Sequence, residues 1–350
     1  MNSNHSRRNF LRMSAGAGML TALGQFELAQ AAQQDYKALV CIFLFGGNDG
    51  HNTVIPLAAN EYNAYAGKRG SLALGGARLA PITTATGGQY ALNYGLLELQ
   101  QLFQQGKVAV IANTGILNQP TTLTQYQQSL VPLPTQLFSH SDQIVQMQAG
   151  VPNTSAASGW GGRVADAVQA SNAASTFPCS ISFNGAALFC AGQAVAGTSL
   201  QPGNTLTQNA MGNGWPQAAI NARLTAQQQI VALNNGNRLI AATDKVMSDA
   251  LQLNVLLKNV SAGATGFDQT VAGGSLGKQL DAVAKMISIR AQTGVGRQVF
   301  FCGLGGFDTH SGQDYQQWVL LQEVSKAMKA FYDSTVFMNI ADRVTTFTMS

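Results

Sequence analysis

Two apolar runs in this chain end in the same way, with a glycine pair followed two residues later by an aspartate. The run over residues 40–45 leads to Asp49, and the run over residues 299–304 leads to Asp308. A continuous apolar run bounded by glycines is typical of a strand that is buried on both faces of a parallel sheet. Ligands of open α/β sheets bind beyond the carboxyl ends of the strands. The pattern therefore predicts two carboxylates at one functional edge of a parallel sheet.

The remaining patterns predict an α/β fold. Apolar residues recur at helical spacing over residues 92–103, and an apolar, β-branched run over residues 107–112 follows. Strand, helix and strand in that order predict a parallel pair joined by a right-handed crossover. Further elements are predicted over residues 276–291, 315–331 and 343–350. We expect a single domain over residues 37–350, with a doubly wound, mostly parallel sheet and helices on both faces.

The middle of the chain has a different composition and is predicted to be an insertion. Residues 150–215 are rich in Gly, Ser, Ala and Asn, and residues 217–258 carry a long helical pattern, so residues 150–260 are expected to form a loop-rich and helical cap. Within it, Cys179 and Cys190 flank a short run with an Asn-Gly dipeptide, which predicts a hairpin. Either a disulfide across the base of this hairpin or two free thiols fits the sequence.

The first 31 residues have the features of an export signal. The adjacent arginines Arg7 and Arg8 precede a mildly apolar stretch over residues 13–23, and Ala29 and Ala31 form a small-residue cleavage site. The apolar stretch is too short to anchor the chain in a bilayer. The sequence therefore predicts export by the twin-arginine translocase, a periplasmic or other extracytoplasmic location, and no membrane span after cleavage.

The charge balance argues against a nucleic-acid partner. Charged residues make up 10% of the chain, compared with about 25% in an average soluble protein. The net charge is +4, and part of it comes from the arginines of the predicted signal. Such a balance lacks the basic surface that binding to a phosphate backbone requires.

The two strand-end aspartates and a nearby histidine are candidate metal ligands. His310 follows Asp308 by two residues. Carboxylates and an imidazole that converge on one sheet edge supply what a hydrolytic metal site needs. Alternatively, the Asp49 side chain forms an Asx turn, in which it accepts hydrogen bonds from its own backbone segment. Asp308 has the alternative of orienting the imidazole of His310 rather than binding the metal itself.

Ser139 and His140 open a predicted short helix and are the candidate catalytic pair. Ser139 is expected to be either the N-cap of that helix or a nucleophile placed at a helix N-terminus, where anionic oxygens are stabilised. His140 is a candidate metal ligand or general acid. The chain has no Gly-x-Ser-x-Gly motif, which argues against an α/β-hydrolase triad.

In combination, these motifs resemble the exported family known as domain of unknown function 1501. The residues that carry the resemblance are the twin-arginine leader, the stretches 45–50 and 52–56, the pair Ser139-His140, the stretch 159–163, and the stretch 306–310 with Gln313. That family is grouped with the alkaline-phosphatase and sulfatase superfamily. His51 departs from the family, whose members more often carry Leu at this position.

The resemblance implies a site and an activity. It implies an alkaline-phosphatase-like fold in which Asp49, Asp308 and His310 bind two divalent metal ions (zinc, or magnesium, calcium or manganese) and Ser139 is the nucleophile. The family continues with further ligand motifs, so these 350 residues are expected to hold an incomplete site. The expected function is a metal-dependent hydrolase of phosphate or sulfate esters, acting on a small-molecule or glycan ester. The alternative is a non-catalytic cell-envelope binding protein with the same fold.

Overall fold

The computed structural model describes residues 36–173, 175, 177–203, 215–231 and 263–350, together with isolated positions between 233 and 261. The predicted signal segment lies outside these residues. So does most of the second half of the helix predicted over 217–258, whose first part is helical over Gln217–Val231. No helix in the described part of the chain is both long and apolar enough to cross a bilayer.

The described strands form two sheets. The strands are β1 (Lys37–Leu44), β2 (Val54–Pro56), β3 (Leu79–Thr83), β4 (Gln89–Asn93), β5 (Ser180–Ser182), β6 (Thr198–Ser199), β7 (Arg297–Leu304) and β8 (Val344–Met349). In the described residues, a five-stranded sheet has the order β6-β5-β7-β1-β8, and all its neighbouring strands are parallel. The predicted α/β fold with a mostly parallel sheet is therefore confirmed.

The two apolar runs with glycine-pair ends are adjacent strands. β1 pairs with β7 so that Lys37 lies opposite Arg297 and Leu44 lies opposite Leu304. Because the register brings both carboxyl ends to the same level, the two turns that follow lie side by side. The sequence predicted that these two strand ends lie at the same edge of the sheet.

Helices cover both faces of the large sheet. The helices of the described residues are α1 (Ala59–Arg69), α2 (Leu97–Gln104), α3 (Leu123–Gln127), α4 (His140–Ala149), α5 (Trp160–Ala167), α6 (Gln217–Val231), α7 (Gln269–Ala272), α8 (Gly274–Ser288), α9 (Arg290–Thr293) and α10 (Gln313–Phe337). Side chains alternate along a strand. Val40 and Ile42 of β1 pack in the core with α2, α8 and α10, whereas Cys41 and Phe43 pack with α4 and α5.

A second, antiparallel sheet in the order β2-β4-β3 was not predicted. Its strands lie in a segment rich in Gly and polar residues, and two of them contain a proline, Pro56 and Pro81. The sheet lies directly after the β1 turn. Its β4 residue Asn93 donates its backbone N–H to the carbonyl oxygen of Thr53 at 3.0 Å. The small sheet therefore anchors the loop that carries Asp49.

The strand predicted over residues 107–112 is wrong. These residues form no regular element, and Ile111 is 79% exposed. β1 already pairs with β7 on one side and with β8 on the other. No position next to β1 remains for this run, so the predicted strand-helix-strand crossover does not form.

The hairpin predicted between Cys179 and Cys190 is also wrong. β5, which begins directly after Cys179, pairs in parallel with β6 and β7, and a 3-10 turn over Leu188–Cys190 takes the place of a second hairpin strand. Both cysteines are buried free thiols. Burial raises the pKa of Cys190 to about 12, so little of this thiol is ionised at neutral pH. The segment that was predicted as an insertion thus contributes two strands to the main sheet.

Candidate functional site

The turns after β1 and β7 touch one another. The backbone N–H of Phe307 donates to the carbonyl oxygen of Phe45 at 3.1 Å. Gly46 and Gly306 have positive φ angles of +104° and +99°, which favour glycine. A Cβ atom on Gly46 would lie 2.5 Å from the backbone nitrogen of Asp308. The close contact of the two turns therefore requires glycine at position 46.

Every oxygen of the Asp49 carboxylate has two donors. Oδ1 accepts backbone N–H groups from His51 at 3.1 Å and from Asn52 at 3.2 Å. Oδ2 accepts the Arg69 guanidinium and the Gln313 side-chain amide. The carboxylate caps the 3-10 turn over Gly50–Asn52 and forms an ion pair, and its side chain is only 18% exposed. The Asx-turn alternative accounts for the two backbone contacts of this residue.

The loop around Asp49 is held by further side chains. Gln317, which is buried, donates to the carbonyl oxygen of Asp49 at 2.9 Å and to Oδ1 of Asn48 at 3.2 Å. Asn52 is also buried, and it accepts the hydroxyl of Tyr65 at 2.8 Å. Buried polar groups with satisfied partners fix a single conformation. The Asp49 loop is consequently a rigid part of the fold.

The Asp308 carboxylate has a different environment. Its Oδ2 lies 3.0 Å from Nε2 of His310, and its Oδ1 lies 3.8 Å from Nε2 of His140. The carboxylate side chain is 45% exposed, and those of His310 and His140 are 84% and 58% exposed. We call His140, Asp308 and His310 the Asp308 cluster. It is open to solvent at the carboxyl edge of the sheet.

Ser139 is the N-cap of α4, as one of the two alternatives predicted. Its Oγ accepts the backbone N–H of Asp142 at 3.5 Å and lies 3.2 Å from Oγ of Ser141. The helix ends at Gly150, which adopts the left-handed conformation. Ser139 directly precedes His140, a member of the Asp308 cluster, in the chain. Its role as a nucleophile stays a prediction.

The metal site that the resemblance implies does not fit these residues as they lie. A carboxylate offers about four lone pairs, and those of Asp49 are taken by four donors. The Asp308 cluster has the donor types that zinc prefers, yet Nε2 of His310 already contacts the carboxylate. Among the described residues, no group of three or more His, Cys, Asp or Glu is arranged to hold a metal ion.

Sequence reasoning placed the carboxylates but missed the partner that neutralises one of them. Arg69 is the last residue of α1, 20 residues after Asp49. Nothing in its local sequence marks it as a site residue. Gln313 was noted among the family motifs, but its contact with Asp49 spans 264 residues. Gln313 reaches Asp49 because β1 pairs with β7, which places the turns after the two strands side by side.

Comparison with known proteins assigns no family to this arrangement. No protein-family model, curated protein or solved structure matches the chain. The resemblance described above therefore rests on the motifs in the sequence and enters the proposal below on that basis.

Proposed function

We propose that this chain is an exported hydrolase of phosphate or sulfate esters and that the Asp308 cluster is its reaction centre. The observation that supports this most directly is the meeting of two imidazoles with one half-exposed carboxylate. The cluster lies at the carboxyl edge of a parallel sheet, where α/β proteins bind ligands. The sequence resemblance to the alkaline-phosphatase and sulfatase superfamily supports the same reaction class.

The chemistry expected of the cluster is proton transfer. A carboxylate beside an imidazole holds the ring in one tautomer and stabilises the imidazolium that forms when the ring takes a proton. His310, at 3.0 Å, is the ring held most closely by Asp308. Nε2 of His140 lies 3.8 Å from the other carboxylate oxygen, and His140 directly follows Ser139 in the chain. One ring can then accept a proton from the attacking hydroxyl while the other donates a proton to the leaving alcohol.

Ser139 is the proposed nucleophile. Its Oγ would form a bond to phosphorus or sulfur as the bond from that atom to the alcohol oxygen breaks, and the alcohol would leave with a proton from the cluster. Water would then cleave the serine ester and release phosphate or sulfate. The N-terminus of α4 lies at this serine, and the positive end of a helix dipole stabilises anionic oxygens.

The proposal assigns no step to a metal ion, because the oxygens of Asp49 are already occupied. The divalent ions that the resemblance implies can be tested directly. Hydrolysis measured in a chelator and then with added zinc or magnesium would show whether the Asp308 cluster recruits an ion. A strict requirement for a divalent ion would mean that the chemistry of the Asp308 cluster depends on an ion.

Turnover of p-nitrophenyl phosphate and p-nitrophenyl sulfate tests the proposed reaction. We expect release of nitrophenol above the uncatalysed rate, and a loss of about 10²-fold or more in Asp308→Asn, the range for removing general acid-base catalysis. Asp333→Asn is the matched control, because Asp333 is a carboxylate on the distal part of α10 that is 53% exposed. Equal rates for the wild type and Asp308→Asn would overturn the proposal.

A non-catalytic envelope binding protein is the second candidate. The observation in its favour is that Arg69 neutralises the carboxylate that the resemblance assigns to a metal. In that case the edge of the sheet would bind a ligand without hydrolysing it. Binding of a stoichiometric partner or glycan that survives Asp308→Asn, without any ester turnover, would favour this function over the first.

A further inference from the structure

A cavity lies beyond the carboxyl ends of β5 and β6. Phe183 directly follows β5, Leu200 directly follows β6, and both residues line the cavity. Its volume of about 750 Å³ is within the range of small-molecule sites, about 300–1,000 Å³. Among the described residues of its wall, none belongs to the Asp308 cluster or to the Asp49 loop. The cavity is therefore a separate candidate site, at the edge where α/β sheets bind ligands.

Part of the cavity wall is apolar. The apolar side chains that line it are those of Phe183, Leu200, Leu257, Val260 and Phe267. All five also belong to the large hydrophobic core or pack against it, so the core holds them in place. Removing apolar surface from water is favourable in proportion to the area that is covered. This part of the wall therefore favours a ligand with an apolar body.

The helix α8 contributes charged side chains to the same cavity. Lys278, Asp281 and Lys285 line it, and their spacing places them on one side of the helix. Lys285 donates to Asp281 at 2.8 Å, and these two side chains are 21% and 23% exposed. Lys278 is exposed and has no hydrogen-bond or ion-pair partner among the described residues. Since the ion pair uses one cation and the one carboxylate, Lys278 is the charge in the described wall that a ligand can neutralise.

Hydrogen bonds fix the elements that form the cavity. On α8, the buried side chain of Gln279 donates to the carbonyl oxygen of Gly303 in β7 at 2.8 Å and accepts the backbone N–H of the same glycine at 2.9 Å. In the segment that carries Phe267, the carbonyl oxygen of Thr265 accepts the buried hydroxyl of Ser334 at 2.7 Å. The helix and the segment are thus held in place before any ligand binds, which lowers the entropy cost of binding.

We propose that this cavity binds a small amphiphile with an apolar body and one anionic head group, such as a carboxylate or a sulfonate. The apolar wall covers the body, and Lys278 donates a charge-assisted hydrogen bond to the head group. A polyanion such as a nucleoside triphosphate does not match the described wall, because Asp281 lies on it and repels further negative charge. A neutral apolar molecule would gain nothing from Lys278. The inference does not depend on the proposed hydrolase function.

Fluorescence titration with two probes that share one apolar body tests the role of Lys278. Anilinonaphthalene sulfonate carries an anionic head group, and phenylnaphthylamine lacks it. We expect saturable binding of the sulfonate probe, which Lys278→Gln weakens about 5–10-fold, the range for a partly exposed charge-assisted hydrogen bond. The same variant should leave binding of the neutral probe unchanged. Lys107→Gln is the matched control, because Lys107 is exposed and is not part of the described wall. Absence of saturable binding, or equal affinity of the wild type and Lys278→Gln for the sulfonate probe, would overturn the proposal.

A second variant tests the apolar wall. Phe267→Ala should weaken both probes, because it removes apolar surface and leaves the charges of the cavity unchanged. Phe138→Ala is the matched control, since Phe138 is 81% exposed and is not part of the described wall. Urea denaturation of each variant verifies that a change in fluorescence does not come from a partly unfolded chain, which also binds the sulfonate probe. Equal binding of both probes by Phe267→Ala and the wild type would contradict the proposal.

Variants of the Asp308 cluster separate this inference from the proposed function. Asp308→Asn and His310→Ala should bind the sulfonate probe as the wild type does, because neither residue is part of the described wall. A changed affinity in these variants would place the probe at the Asp308 cluster and overturn the inference. Ester turnover without probe binding would contradict this inference alone. Probe binding without ester turnover would contradict the hydrolase proposal alone.

Discussion

The turns after β1 and β7 have nearly the same sequence but different surroundings. Each contains a glycine with a positive φ angle, and each delivers an aspartate and, two residues later, a histidine. Asp49 lies 18% exposed among four donors, whereas Asp308 lies 45% exposed between two imidazoles. In the first turn His51 contributes its backbone N–H. In the second turn His310 contributes its ring.

The difference shows that the motif alone does not decide the role of its carboxylate. What decides it is whether a cation from elsewhere in the fold reaches the turn. Arg69 reaches Asp49 because α1, which lies between β2 and β3 of the small antiparallel sheet, ends next to the β1 turn. Asp308 faces α4, whose first residue is His140. We therefore propose a structural role for the first turn and a chemical role for the second.

The largest expected effect compares the two histidines. His310→Ala should lower ester turnover by about 10²–10⁴-fold, the usual contribution of general acid-base catalysis. His51→Ala should leave turnover nearly unchanged, because its contact with Asp49 is made by the backbone N–H. Initial rates on p-nitrophenyl phosphate and sulfate measure both variants. Equal losses in the two variants would mean that the turns share one site.

The two glycines provide the next comparison. Gly46→Ala should destabilise the fold by about 2–5 kcal/mol, since it adds left-handed strain to a clash with the backbone of Asp308. Gly306→Ala should cost only about 1–2 kcal/mol, because its Cβ would meet the Leu320 methyl groups at 3.6 Å. Urea denaturation gives both free energies of unfolding. A larger cost at Gly306 would contradict the packing described for the turns.

The ion pair of the first turn is expected to contribute less than the glycine contact. Arg69→Met should cost about 1–3 kcal/mol, because it leaves a partly buried carboxylate without its cation, and the remaining exposure of both side chains reduces the effect. A double-mutant cycle with Asp49→Asn should show that the two changes are not additive. Additive effects would show that Arg69 and Asp49 do not stabilise one another.

Among the described residues, the Asp166 carboxylate is held by backbone N–H groups rather than by a cation. It accepts backbone N–H groups from Val195 at 2.7 Å, from Gln193 at 2.6 Å and from Ala194 at 3.1 Å. These hydrogen bonds, Val195 first, lower the pKa of the carboxyl. Its stabilising effect is therefore complete above the ordinary pKa near 4 and is lost as the pH falls through the lowered value.

Thermal unfolding of Asp166→Asn at pH 6 and pH 3 measures this effect. We expect a smaller loss of Tm than for any change in the β1 turn. We also expect a weaker fall in Tm between pH 6 and pH 3 than in the wild type, because the variant has no carboxyl to protonate. An identical pH dependence of Tm in both proteins would show that the Asp166 carboxylate does not stabilise the fold through these hydrogen bonds.

The sequence predicted the strands of the site well because they are continuous apolar runs. The apolar residues of β1 and β7 are continuous, and those of the helix α8 recur at helical spacing, so each pattern favours one type of secondary structure. The run over residues 107–112 has an equally apolar pattern, but a pattern does not show whether a position in the sheet is free. At residues 179–190, the local Asn-Gly turn signal was overruled by parallel pairing of β5 with β7.

The positions of the two strand-end carboxylates were predicted for the same reason. These carboxylates follow strands, and strand ends can be read locally. The partners of these carboxylates cannot be predicted from the local sequence, because Arg69 lies 20 residues and Gln313 lies 264 residues from Asp49. The pairing of Asp308 with His140 likewise depends on where α4 packs. Whether a strand-end carboxylate is neutralised is a property of the tertiary structure.

Thermal unfolding of Asp49→Asn and Asp308→Asn, measured side by side at neutral pH, tests the division of roles most directly. It requires no substrate. Asp49→Asn removes an ion pair and weakens the cap of a partly buried turn, so we predict a loss of several degrees in Tm. Asp308→Asn changes an exposed carboxylate, so its Tm should stay close to that of the wild type. Equal losses in Tm, or a larger loss for Asp308→Asn, would contradict the account.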